Sequence, residues 1–178
     1  MSSSEIIAWS KQNFLSWSNF QSELNPSSFE DAHSTIKYRY TWTIKSDNND
    51  CQIHFFIENI QLIVEFFPLL SWVRTSQANL NLLKHEQGHF DLAELLRPKI
   101  TQNLQIAFDD KKFPVRGQTE EQQKQFARDY SNMLISKEFE KWEKYIFQKQ
   151  EEYDKQTNYG QLEEKQSEYD KKFKELRK

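Results

Sequence analysis

The chain has one cysteine, three glycines and four prolines in 178 residues, and no long apolar run. A lone Cys51 cannot form an intrachain disulfide or build a cysteine-based metal cluster, so any metal site has to draw on His, Asp, Glu, Tyr or water. Few Gly and Pro beside 15% aromatic residues argue against disorder, although 29% of the residues are charged; a helix-rich globular protein with long solvated faces is expected. No apolar stretch approaches the ~20 residues that a membrane helix needs, and Met1 to Glu5 carries neither a basic n-region nor a following h-region. The chain therefore reads as soluble and not bound to membrane. As written it is cytoplasmic, and secreted or periplasmic if a signal peptide has been removed. A net charge of −3 gives no electrostatic reason to expect nucleic acid as a partner.

Aromatic and apolar patterning is what the chain does have. Trp9, Phe14, Trp17 and Phe20 fit a short amphipathic helix or an irregular stretch pinned by aromatics, and Asn25-Pro26-Ser27-Ser28 is a turn. Ile36, Tyr38, Tyr40, Trp42 and Ile44 alternate strictly with polar residues, which predicts a half-buried strand. After the polar cluster Ser46 to Asp50, a second strand holds Ile53, Phe55 and Ile57; Ile60 to Phe67 resumes strand chemistry until Pro68 ends it. From Leu80 the period becomes helical, with Leu80, Leu83, Phe90, Ala93 and Leu96 recurring at three- and four-residue offsets or multiples of a turn and Pro98 kinking or ending the segment. Asp109 to Lys112 and Pro114 to Gly117 read as loop. Thr119-Glu120-Glu121-Gln122 is a capping box that opens a long helix, with Phe126, Tyr130, Met133, Leu134, Trp142, Tyr145, Ile146 and Tyr153 as its buried stripe. Gly160 breaks it. A heptad-like seam of Leu162, Gln166, Tyr169, Phe173 and Leu176 makes residues 161–178 a final amphipathic helix, packed on the domain or peripheral to it.

The stretch with chemical content is His85-Glu86-Gln87-Gly88-His89. Residues four apart on a helix are offset by about 40° and rise by about 6 Å, so both imidazoles can reach one ion from the same face. Zinc suits them, one ion per chain. Glu86 points about 100° around from His85, outside the ion's coordination shell but near a water that the metal acidifies; a carboxylate there can act as general base in peptide hydrolysis. Gly88 allows another backbone or a substrate to approach closely. The competing reading is a pair of helix histidines bonded to carboxylates in a core. His33, near a turn, and His54, on a polar strand face, read as solvated or structural. Asp91 and Glu94 lie about 240° and 180° around the helix from His85, so neither is favoured as a ligand. An extended substrate needs a strand edge to pair with, and Ile60 to Phe67 is a candidate beside its plainer reading as a core strand.

Trp17-Ser18-Asn19-Phe20, Ser71-Trp72-Val73, His85-Glu86-Gln87-Gly88-His89-Phe90-Asp91, and Tyr153-Asp154 with Thr157 and Gly160 together resemble the DUF922 family of bacterial zinc-dependent proteases. The resemblance spans most of the chain and implies a zincin-like metallopeptidase. The family's late motif, Tyr-Asp-x-x-Thr-x-His-Gly, has a histidine suited to be a third ligand. In this chain Tyr159 stands at that position. A catalytic zinc usually has three protein ligands and a water, so three outcomes are open: Tyr159 binds as a phenolate, Asp154 or another carboxylate takes the place, or the site is weak and catalysis is lost.

The expected protein is one α+β domain over residues 1–178, zincin-like, with a small antiparallel sheet packed against the metal-bearing helix and completed by a long helix and a C-terminal helix. The expected function is zinc-dependent hydrolysis of peptide bonds in a peptide or protein substrate by a monomer. The alternative is a catalytically impaired or inactive binding protein on the same fold.

Overall fold

The computed structural model describes residues 5–47 and 52–178. The sequence-predicted turn at Ser46 to Asp50 falls largely outside those residues, with Ser46 and Asp47 belonging to the preceding strand. The architecture is α+β: a small antiparallel sheet and three α-helices. Strands β1 (Ile7–Ala8), β3 (Ile36–Asp47), β4 (His54–Phe66) and β6 (Phe113–Pro114) form one sheet, in which β4 lies between β1 and β3 and also pairs with β6. A second, two-stranded sheet joins β2 (Ala32–His33) to β5 (Trp72–Val73), with Ala32 opposite Val73 and His33 opposite Trp72. The helices are α1 (Leu80–Phe108), α2 (Glu120–Thr157) and α3 (Glu163–Leu176). No helix among the described residues is long and apolar enough to cross a membrane.

Alternation makes β3: Ile36, Tyr38, Tyr40, Trp42 and Ile44 are half-buried while the residues between them are exposed. The two expected strands from Ile53 to Phe67 are one continuous strand, β4, and its register changes in the middle. Phe55 and Ile57 are buried, then Ile60, Leu62, Val64 and Phe66; the two sets differ by one residue in phase. Asn59, at φ 52°, is the extra residue that restores the inward face, as a bulge does. The Gln105 side-chain oxygen accepts from Ile60 N at 3.0 Å. The end of Ile60 to Phe67 is no free edge: Ile7 and Ala8 pair with Phe66 and Glu65 and Trp9 N donates to the Val64 carbonyl on one side, and β3 flanks the other.

Helix α1 begins at an Asn79 cap, whose side-chain oxygen accepts from Leu82 N at 2.9 Å. It does not stop at Pro98 but runs on to Phe108. Burial of Ile100, Leu104 and Phe108 on the downstream turns offsets the hydrogen bond that proline removes. Leu80 is exposed, because it precedes the first turn that packs. The capping box at α2 forms as expected: Gln122 N donates to Thr119 Oγ1 at 3.2 Å and Thr119 N to Gln122 Oε1 at 3.3 Å. Within α2 the buried stripe includes Ala127, Ile135 and Tyr153, whereas Met133 faces solvent.

The chain divides into two compact units: residues 1–39, 63–97 and 146–178 form one, and residues 40–62 and 98–145 the other. The first has an apolar cluster of Leu15, Phe20, Val64, Phe66, Phe90 and Ala93. The second is built on Phe55, Ile57, Ile60, Ile100, Leu104 and Ile135, with Trp42 Nε1 donating to Ser131 Oγ at 2.8 Å. His85, Glu86, His89 and Asp154 all lie in the first unit.

Candidate metal centre

His85 and His89 lie one turn apart on α1, with ring centroids 4.8 Å from each other. Asp154, in the last turn of α2, brings Oδ1 to 3.1 Å from His85 Nε2 and 2.9 Å from His89 Nε2. The ligand atoms of His85, His89 and Asp154 all lie within 4.8 Å of one another and form a group able to hold a metal ion. With both imidazoles neutral and protonated on Nδ1, two Nε2 lone pairs and a carboxylate oxygen converge here, and a cation would satisfy all three. A tetrahedral zinc with ligands at about 2 Å would space them about 3.3 Å apart, near both distances to Asp154 Oδ1, with the whole group lying within 4.8 Å. The residues present therefore fit a metal ion.

Close approaches hold the two helices in this register. A Cβ on Gly88 would stand 2.0 Å from the Tyr153 hydroxyl, so the opening Gly88 leaves is filled by Tyr153. That ring stacks on His85 at 4.7 Å and meets His89 edge-on at 5.0 Å, and its hydroxyl donates to the His85 carbonyl at 3.1 Å. Burial pushes the Tyr153 phenol far above its usual range, so it remains a neutral donor. Beyond α2 the chain turns through Asn158, Tyr159 and Gly160, all at positive φ, and the Gly160 backbone passes so near His85 that a Cβ would lie 2.7 Å from the histidine Cβ.

The second ring nitrogen of each histidine is also occupied. His89 Nδ1 is 2.7 Å from Gln150 Oε1, and His85 Nδ1 is 3.2 Å from Gln166 Oε1 and 3.3 Å from Thr157 Oγ1. Burial alone would lower the His89 pKa; the Asp154 hydrogen bond, the charges of Asp154 and Glu86 and the contact with Gln150 outweigh it and raise it to about 9. Burial would raise Asp154, but hydrogen bonds from both histidines, with their charges, hold it well below the usual carboxylate range.

Glu86 is buried on the neighbouring face, where its Oε2 accepts from Ser34 Oγ at 2.5 Å. Ser34 is brought there by β2, which the pairing with Trp72 and Val73 fixes. Ser71, the residue before that strand, is fully buried and accepts from Thr35 N at 2.9 Å. The Ser71-Trp72-Val73 segment, in which Trp72 and Val73 form β5, thus holds residues 32–35, which line the cavity. His85, Glu86, His89 and Asp154 open on one cavity of about 470 Å³, whose apolar lining includes Ile36, Tyr38, Ala93, Ile146 and the exposed Phe147.

Asp91 belongs to a separate polar knot: its carboxylate accepts from Trp9 Nε1 at 2.8 Å and Gln87 Nε2 at 3.0 Å and is paired with Arg177. Glu94 is bound by Arg97. His33 stacks on Trp72 and lies 3.5 Å from Glu30, while His54 has Nδ1 at 3.2 Å from the Gln52 carbonyl. Tyr159 lines the cavity, with its ring edge-on to Phe29 at 5.7 Å. Residue pattern alone gave no sign of Ser34 or Gln150, and it placed Gln166 in the α3 seam without a role. No family model, no curated protein and no solved structure matches the chain.

Proposed function

We propose that the chain is a zinc-dependent metallopeptidase, with His85, His89 and Asp154 as protein ligands and Glu86 as general base, in keeping with its resemblance to the DUF922 family. One observation carries the reading: two imidazole nitrogens and a carboxylate oxygen from two helices converge on one point, and a buried glutamate opens on the same cavity. Two histidines and a carboxylate are a donor set that catalytic zinc uses, with the fourth position left for water. Zinc held there would lower the pKa of that water and polarise the peptide carbonyl. Glu86, kept in place by Ser34, would serve as the general base toward that water and as the proton donor to the leaving amine. Tyr159 is the alternative third ligand.

The test is elemental analysis followed by substitution. The protein takes up one zinc per chain; Glu86→Gln keeps the zinc and loses hydrolysis, while His89→Ala loses both. A chain that takes up no zinc sinks the reading. A metal-holding protein without hydrolytic activity is the second reading, favoured by Tyr159 at the position of the family's late histidine. Full zinc occupancy without cleavage across a broad peptide library would select it.

A further inference from the structure

A glutamine amide can present either end to a histidine, so the two glutamines behind the imidazoles need something to orient them. For Gln150 the choice is made beside the ring, because Nε2 donates to the His89 carbonyl at 3.1 Å and leaves Oε1 to face Nδ1. For Gln166 the Tyr153 hydroxyl, 2.8 Å from Nε2 and 3.2 Å from Oε1, can give or accept and suits either orientation, so the choice is made further away, on α3. Its Nε2 lies 3.0 Å from Asp170 Oδ1, one turn along the helix, and an ionised carboxylate can only accept. Asp170 is itself held by Lys84, with Nζ 2.5 Å from Oδ2. Reversing the amide would set its oxygen against the carboxylate. Oε1 must then face His85 Nδ1, and an oxygen there requires a ring that carries its proton on Nδ1. Thr157 acts in the same sense: its hydroxyl donates to the Tyr153 carbonyl at 2.7 Å and turns a lone pair toward Nδ1. A neutral imidazole has one N–H, so Nε2 is left with its lone pair toward Asp154 and His89.

We propose that Gln166 and Asp170 are positioning residues of the metal centre: the Asp170 carboxylate orients the Gln166 amide, and the amide holds His85 in the tautomer that offers Nε2 to the ion. The inference rests on the metal reading above. It makes α3 part of the centre, and it gives Lys84, next to His85 in the chain, the task of keeping Asp170 in place.

The test is zinc affinity of the full chain, measured by competition with a chromophoric chelator, for wild type, Asp170→Asn and the double variant Gln166→Glu/Asp170→Asn. In Asp170→Asn, Lys84 keeps the amide oxygen and the NH₂ turns to residue 166, so Gln166 reverses and His85 loses its acceptor; affinity falls about 10- to 100-fold, the usual cost of losing such a partner. In the double variant the new glutamate presents an oxygen to Nδ1 whichever way it turns, and the asparagine donates to the other oxygen. Affinity returns to within about threefold of wild type or better, a difference under 1 kcal/mol. The double variant restores a negative charge as well as the acceptor, so the ¹⁵N shifts of the neutral His85 imidazole are read beside affinity: the relay puts the proton on Nδ1 in wild type and the double and on Nε2 in Asp170→Asn, whereas a loss of packing or charge alone leaves it on Nδ1 in all three. An unchanged affinity in Asp170→Asn, or a double variant no tighter than the single, overturns the relay and leaves the metal reading standing. A wild-type chain that binds no zinc overturns the metal reading and the relay with it.

Discussion

Helix α1 passes through both units of the molecule and changes character at Pro98. Downstream, in the unit of residues 40–62 and 98–145, it buries Ile100, Leu104 and Phe108, and Ser131 is the one buried polar side chain among the described residues of that unit. Upstream, in the other unit, the same helix buries His85, Glu86, Asp91 and Glu94 beside Phe90 and Ala93, with Thr157 and Gln166 buried nearby. Taking a charged group out of water costs several kcal/mol unless it is paired, and an apolar core of equal volume is often no less stable. One unit is built as a core needs to be built, and the other departs from that pattern at His85 and Glu86, which open on the cavity, at Thr157 and Gln166 behind His85, and at the separately paired Asp91 and Glu94. A difference of that kind within one helix points to function in the upstream half.

Leu104→Ala probes the apolar half and should have the largest effect on stability, a loss of about 2–5 kcal/mol in denaturant unfolding, with zinc stoichiometry and affinity unchanged. If zinc affinity fell along with stability, the division of labour between the two halves would not hold. Asp154→Asn probes the polar half. It keeps the shape but removes the charge that both Nε2 atoms face, so zinc affinity should drop about 100-fold or more, roughly 2.7 kcal/mol, by isothermal titration. A drop under about tenfold would mean that another group is the third ligand.

With His89 as a ligand, proton and metal would compete for the same place, which makes pH the next lever. In the metal-free protein His89 has a raised pKa near 9, so its proton stabilises the fold fully below its unfolded value of about 6.5, and that contribution disappears as pH rises through 9. Asp154 is shifted the other way; its contribution is present above the unfolded carboxylate range and is lost as pH falls toward its depressed folded pKa. Between pH 6.5 and 9 an ion has to displace the His89 proton while Asp154 stays ionised. Apparent zinc affinity should therefore climb about tenfold per pH unit and level off near 9. A flat profile over that range would show that His89 is already neutral before the ion arrives.

The strands and caps that could be read from sequence are those whose cause is local. Alternation in β3 and the Thr119–Gln122 box each declare themselves within a few residues. Two other features hid because tertiary burial overrode a local signal: the Asn59 bulge, which made one strand look like two, and Pro98, whose breaking tendency was overcome by the apolar turns after it. The site divides in the same way. His85, Glu86 and His89 share a helix turn and could be found by spacing. Asp154 is 69 residues from His85, Ser34 52 from Glu86 and Gln166 81 from His85, and no pattern along the chain links any of these pairs. Asp154 could be named only as one of two choices with Tyr159, and α3 could only be left at the margin.

Tyr159 gives the smallest expected effect and the sharpest decision between those two choices. It sits at φ 53°, a left-handed conformation that costs an ordinary side chain about 1 kcal/mol or more, at the turn where the chain doubles back past His85. Partial burial, together with the charges of Asp154, Glu30 and Glu151, raises its phenol above the ordinary value, so its surroundings oppose the phenolate that coordination would need. Its ring is already engaged with Phe29 at 5.7 Å. Tyr159→Phe removes the hydroxyl and keeps the ring, and with Asp154 as third ligand zinc affinity should stay within about twofold, under half a kcal/mol. A loss of about tenfold or more would move the phenol into the coordination shell. Asp154 would then be the group that orients the two histidines rather than the one that binds the ion beside them.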